Sequence, residues 1–361
     1  MQENKRDKIK VMVVDDSRVS QRLYERIITA DERFELVGIA ADGQQAVELA
    51  ATLKPDVISM DLNMPRMDGM EATRQIMHLH PVPVIVVSSL YDISQQEMAI
   101  QVLEAGAVHI MPKPEGPAHA NHTRSVRQYL SALASMSEVK VVRRKSNTKP
   151  DASKTVYASN NHVLPEIEKS GNIKLLVIGA SAGGPEGLKA ILNEVGPDFP
   201  LPILIVQHID HHFAEAYIQW LQTHTSMPVI MTGEDMALQR GKAYLAPGDK
   251  HLVVKADGIV TVSSLPPVKG HRPSVSYLFS SAAKIYQNQI IAVLLSGMGT
   301  DGAQDLKYLK DIGAVTFAQD EESCLVFGMP GEAVKLGGAC AVLPPYKIIT
   351  EIKKILLKQK A

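Results

Sequence analysis

The run Leu175-Leu176-Val177-Ile178-Gly179-Ala180-Ser181-Ala182-Gly183-Gly184-Pro185 carries an apolar strand into a glycine-rich turn with a serine at its tip. A strand that is apolar without alternation is buried on both faces, as in a parallel sheet covered by helices. Gly-x-Ser-x-Gly is the form of a nucleophile elbow, where small residues let the chain turn sharply and the serine project. Pro185 suits the first turn of the following helix, whose free amides favour developing negative charge. A phosphate-binding glycine turn of a dinucleotide domain has the same appearance. The next apolar strand, 203–206, ends in Gln207-His208 rather than in an acidic residue. That weakens the dinucleotide reading.

An imidazole at position 208 can sit beside Ser181 and take its proton. A lone histidine is more often a packed or surface residue, so a third group is needed. The stretch Leu294-Leu295-Ser296-Gly297-Met298-Gly299-Thr300-Asp301-Gly302 is another apolar strand leading to a glycine turn with one carboxylate. Asp301 would orient His208, although by itself it reads equally well as a helix cap. The Met298 amide, between two glycines, would donate to an oxyanion. The order Ser181, His208, Asp301 departs from the Ser, Asp/Glu, His order of α/β-hydrolases and disfavours a standard lipase or esterase.

The first half alternates apolar runs and amphipathic stretches, predicting five strands with intervening helices. In the helix expected over 19–30, Val19, Leu23 and Ile27 recur four apart with Tyr24 and Ile28 beside them, one apolar stripe. Four strands end in polar residues: Asp15-Asp16, Asp61, Ser88 and, after Pro112, Lys113. In a doubly wound sheet these ends meet in one crevice. Clustered carboxylates repel and invite a divalent cation, Mg²⁺ above all. A carboxylate can attack a phosphoryl donor, and Asp61 on the central strand is the best placed. Lys113 would offset the transferred charge and Ser88 would hydrogen-bond to it.

These halves make an α/β protein of 361 residues, long enough for two domains. Between them lies a stretch poor in large apolar residues, with Arg143-Arg144-Lys145 and many polar residues, read as a linker. The division expected is 1–138, 139–171 and 172–361. A net charge of −1 argues against nucleic acid as a partner. Two cysteines, no apolar leader and no long apolar stretch predict a cytoplasmic protein without membrane insertion. Cys324, in an apolar run, reads as a packed thiol, and the single Trp220 as core.

Residues 1–135, through Asp15, Asp16, Asp61, Ser88 and Lys113, resemble a response-regulator receiver domain. The resemblance implies a flavodoxin-like fold and phosphorylation of Asp61 by a partner histidine kinase. It also implies Mg²⁺ bound by Asp16, Asp61 and the Asn63 carbonyl, with Asp15 nearby. Receivers usually carry an aromatic residue three positions before the lysine; here it is Ile110. The motifs Gly179–Pro185, Gln207-His208, Ala246-Pro247-Gly248-Asp249-Lys250-His251, His271-Arg272-Pro273-Ser274-Val275, 297–302 and 323–330 look like the chemotaxis protein-glutamate methylesterase domain. That resemblance implies a Rossmann-like doubly wound fold and methylated glutamates of chemoreceptors as substrate, with glutamine deamidation beside it. Ser181, His208 and Asp301 would act as nucleophile, base and orienting acid, with the Met298 and Ala182 amides as oxyanion donors. Family members often have threonine where this chain has Ala182. No cofactor is implied for the ester chemistry. Asp249, His271 and Arg272 are candidates to shape the cleft or bind substrate carboxylates, with ordinary loop ion pairing as the plainer reading. One phosphoacceptor and one hydrolase on one chain predict control, the receiver covering the cleft until Asp61 is phosphorylated. The rival classes are a phosphorylation-controlled binding module and a nucleotide-binding output domain.

Overall fold

Apolar runs cut short by Asp, Ser and Pro make the strands of the first half. The computed structural model describes residues 8–89, 93–139, 141 and 172–359, in two compact units, 1–146 and 147–361. Most of the expected linker, 142–171, lies outside the described residues. In the first unit β1 (Ile9–Val14), β2 (Phe34–Ala40), β3 (Val57–Met60), β4 (Val84–Ser88) and β5 (His109–Pro112) alternate with α1 (Arg18–Thr29), α2 (Gly43–Leu53), α3 (Gly69–Leu79), α4 (Ile93–Ala105) and α5 (His122–Ser137). All five strands are parallel, in the order β2-β1-β3-β4-β5. This is the flavodoxin-like order, and its switch point falls at β1 and β3.

Short polar side chains start the helices. Ser17, Asp42 and Asp68 accept from the amides of Ser20, Gln45 and Glu71, each cap contributing about 1 kcal/mol. The stripe on α1 is narrower than its spacing predicts. Tyr24, Ile27 and Ile28 are buried, but Val19, in the first turn, is 80% exposed. Repetition every four residues places Val19 on the right face, but the first turn projects beyond the core that the stripe covers.

The second unit begins with β6 (Leu175–Ala180), α6 (Gly184–Asn193) and β7 (Ile203–Gln207), then a short 3₁₀ turn His211–Phe213 and α7 (Ala214–His224). It continues through β8 (Val229–Met231), β9 (Met236–Ala237), β10 (Ala243–Leu245), β11 (His251–Lys255), β12 (Ile259–Ser263), α8 (Val275–Tyr286) and β13 (Ile290–Leu294). It closes with α9 (Ala303–Asp311), β14 (Val315–Gln319), α10 (Met329–Lys335), β15 (Ala341–Leu343) and α11 (Pro345–Lys358). Seven parallel strands run in the order β15-β14-β13-β6-β7-β10-β8, a Rossmann-like doubly wound sheet. The strand-rich stretch expected at 242–262 divides. Strand β10 joins the main sheet, while β9, β11 and β12 form a small antiparallel one. Every residue of β6, β7 and β13 is buried. Leu175, Val177, Leu278, Phe279 and Leu294 share one core, each such side chain contributing about 1.5–3 kcal/mol by leaving water. Among the described residues no helix is long and apolar enough to cross a membrane.

Candidate active site

Strand β6 lies between β13 and β7, so the residues just past the three central strand ends are neighbours. They are Ser181, His208 and the 295–302 turn. The His208 amide donates to the Ala180 carbonyl (3.0 Å), and the Ser181 amide to the Ser296 carbonyl (3.0 Å). His208 Nε2 donates to Asp301 Oδ2 across 2.9 Å. His208 Nδ1 is buried and has no hydrogen-bond partner among the described residues. Ser181 Oγ makes no hydrogen bond to His208 among them either, so the serine–histidine contact is not closed in this conformation.

Asp301 is 1% exposed, and four donors surround it. Besides His208 they are Ser274 Oγ (2.9 Å) and the amides of Val275 (2.7 Å) and Ser276 (3.0 Å). The last two open α8, so the carboxylate sits at a helix N-terminus. Burial alone would raise its pKa. The hydrogen bonds and charge of His208, with the Ser276 amide, instead hold the carboxyl well below the usual carboxylate range.

The elbow is tight. Gly183 has φ 74°, in the left-handed region, and a side chain there would strike Leu325 and Ser296. Ser181 packs against Gly297: a Cβ at 297 would lie 2.8 Å from the serine Cβ. Gly297 is pinned, donating to Val326 O (3.0 Å) and accepting from the Gly328 (3.0 Å) and Met329 (2.8 Å) amides. The amides of Ala182 and Met298 donate to no protein acceptor among the described residues. Two unengaged N–H groups beside a serine are the raw material of an oxyanion hole.

The first unit gathers its own cluster. Lys113 Nζ lies 2.8 Å from both Asp15 Oδ2 and Asp61 Oδ2. Carboxylate oxygens of Asp15, Asp16 and Asp61 fall within 4.8 Å of one another, with Asp15 and Asp61 buried and Asp16 exposed. Burial raises the Asp61 pKa against the pull of Lys113. Burial alone would lower that of Lys113, but Asp61 and Asp15 outweigh it and the ammonium is held charged. Asn63 is exposed on the following loop, and Ser88 is buried at the end of β4. A Cβ at Gly69 would overlap the Asp61 carbonyl, so only glycine lets α3 start this close. An all-oxygen set with an open side fits Mg²⁺.

Residues 176–352 match the CheB methylesterase family and residues 11–123 the response regulator receiver domain family. A protein-glutamate methylesterase/protein-glutamine glutaminase of Geobacter metallireducens is 43% identical, covering 97% of this chain and 100% of that one. The chain belongs to the protein-glutamate methylesterase/protein-glutamine glutaminase family. A relative of the same description from Syntrophus aciditrophicus is 40% identical over 96% of this chain and 98% of its own. The solved methylesterase catalytic domain of Thermotoga maritima is 36% identical, covering 52% of this chain and 98% of that one (TM-score 0.48).

In this member of the methylesterase/glutaminase family, several contacts have no signal in sequence spacing. His271 stacks on His208, ring centroids 4.1 Å apart and planes within 4°. Burial and the neighbouring His208 pull the His271 pKa down to about 4, so it is a neutral imidazole at neutral pH. Ser274, Ser296, Gln207 and Gln319 also carry the site. Gln319 Oε1 accepts from the Ser296 amide (2.8 Å), and Ser296 Oγ donates to the Ala182 carbonyl (2.7 Å). Gln207 Nε2 donates to the Ser181 carbonyl (2.8 Å). Arg272 Nη1 donates to the carbonyls of Ser264 (3.1 Å) and Leu265 (3.4 Å), backbone acceptors rather than the loop ion pair expected, and Asp249 is exposed. Cys324 is buried and its thiol pKa is pushed well up, as for a packed thiol, and Trp220 is buried.

Proposed function

We propose that this chain hydrolyses the methyl esters of glutamate side chains on chemoreceptors, and deamidates receptor glutamines, with Ser181 as nucleophile. The observation that carries the reading is the His208–Asp301 pair, which leaves His208 Nδ1 as the free nitrogen beside the serine elbow. Ser181 Oγ attacks the ester carbonyl as its proton passes to Nδ1. The tetrahedral oxyanion is received by the Ala182 and Met298 amides. Buried Asp301 stabilises the imidazolium through Nε2–H without taking the proton. The Nδ1 proton then goes to the departing methanol, or to ammonia from glutamine. Water, deprotonated by the same nitrogen, releases the carboxylate. His271, stacked and neutral, holds the ring plane of His208 without adding a second charge.

Control rests on Asp61, phosphorylated by a histidine kinase partner. Asp15, Asp16, Asp61 and the Asn63 carbonyl would hold Mg²⁺, which when bound offsets negative charge on the phosphoryl oxygens. Lys113 adds its fixed ammonium on the other side, and Ser88 lies at the next strand end to hydrogen-bond the phosphoryl group. Residues 139–171 serve as the linker, and the protein works in the cytoplasm. The test is methanol release from methylated receptor with and without a small phosphodonor. A faster rate with phosphodonor, lost in Asp61→Asn, is expected. Equal rates with Asp61 shown to be phosphorylated contradict the control.

A further inference from the structure

Two residues beyond His208 the chain places Asp210, His211 and His212 in succession, a triplet that the ester chemistry does not use. Asp210 caps the 3₁₀ turn, its carboxylate accepting from the His212 amide at 3.0 Å. The same oxygen, Oδ1, is 2.6 Å from His212 Nδ1 and 3.4 Å from His211 Nδ1. The two imidazole rings lie with centroids 3.7 Å apart, tilted by 40°. One carboxylate oxygen and two ring nitrogens therefore converge within 4.8 Å of one another.

A cap needs only the His212 amide. The His212 ring adds a hydrogen bond to the same oxygen, and the His211 Nδ1 faces it as well. Two imidazoles and a carboxylate are donors suited to Zn²⁺ and its neighbours rather than to Mg²⁺. With ligand bonds of about 2.0–2.2 Å, tetrahedral donors stand roughly 3.3 Å apart, so small side-chain movements suffice. The backbone is braced for this. Gly248, after β10, packs so closely that a Cβ there would clash with the backbone of Asp210 and His211. The His211 side chain is 52% exposed, which leaves the outer side open to solvent ligands.

We propose that Asp210 Oδ1, His211 Nδ1 and His212 Nδ1 bind a divalent ion of the Zn²⁺ class on the segment that leaves His208. Water completes the coordination shell. Ligation uses the lone pairs of the two ring nitrogens, so protons compete with the metal for them.

The test titrates the full chain with Co²⁺ in excess Mg²⁺, which occupies the carboxylate cluster around Asp61. The readout is visible absorption, with Zn²⁺ competition and proton release measured beside it. The wild type is expected to take up an ion that Zn²⁺ displaces. The double variant His211→Ala/His212→Ala, altered only at the surface, is expected to bind at least about tenfold more weakly, and Asp210→Asn to fall between. Equal binding by the wild type and the double variant overturns the site, as does no uptake by the wild type.

Discussion

Nε2 of His208, not Nδ1, meets Asp301, at 2.9 Å from Oδ2, and Nδ1 is left buried without a partner. The carboxylate thus selects the tautomer with a proton on Nε2 and a lone pair on Nδ1, the atom a base needs. Asp301→Asn breaks that selection, and kcat for methanol release should fall by about 10⁴. Asp301→Ala does more, because Ser274 Oγ and the Val275 and Ser276 amides lose their acceptor in a buried place. It should cost roughly 3 kcal/mol of stability. Thermal melts separate the two variants. A melting temperature unchanged by Asp301→Ala would contradict the four-donor arrangement.

His271 supplies a pH dependence whose sign follows from its lowered pKa. The folded chain keeps this ring neutral down to about pH 4, whereas the unfolded chain protonates it near the ordinary 6.5. Between those values the unfolded state binds more protons, so stability falls as pH drops from 6.5 towards 4. His271→Phe keeps a stacking face and has no proton to bind. The melting temperature of the wild type relative to His271→Phe should decline through that window and be level above it. A difference constant from pH 7 to 4.5 would refute the assignment.

Gly297 sets how close the 297–298 turn, with the proposed oxyanion donor Met298, comes to Ser181. Gly297→Ala adds a Cβ 2.8 Å from that of Ser181 and against Met329. A displacement of about 1 Å at the proposed nucleophile is worth about 10² in rate. The variant should fold and lose about that factor in kcat. Activity within twofold of wild type would show that the turn has slack.

Lys113 separates two buried carboxylates, and without it Asp15 and Asp61 face each other. Lys113→Ala should therefore raise the Asp61 pKa further. It should also abolish the stimulation of methanol release by a small phosphodonor. Full stimulation in the variant would place the phosphoryl charge elsewhere.

The strand ends were legible because parallel strands buried on both faces leave unbroken apolar runs, as Leu175–Ala180 and Ile290–Leu294 do. A polar residue stops each run, so Ser181, His208, Asp15 and Asp61 stand out in the sequence as strand-end residues, and each directly follows its strand. What surrounds them does not stand out. Ser274 reaches Asp301 across 27 positions and His271 lies against His208 through a loop, contacts with no period in the chain. Strands β8, β9 and β15, of two or three residues, and α10, of seven, are too short to show periodicity. Val19 shows the converse, a correct period whose residue stands outside the core.

The most direct measurement is methanol release from a methylated chemoreceptor by phosphorylated wild type and by Ser181→Ala. Robust release by the wild type and a loss of at least about 10⁴-fold in the variant are expected. Equal release by both would show that Ser181 is not the nucleophile. Release by neither would mean that the second unit is a phosphorylation-controlled binding module rather than an enzyme.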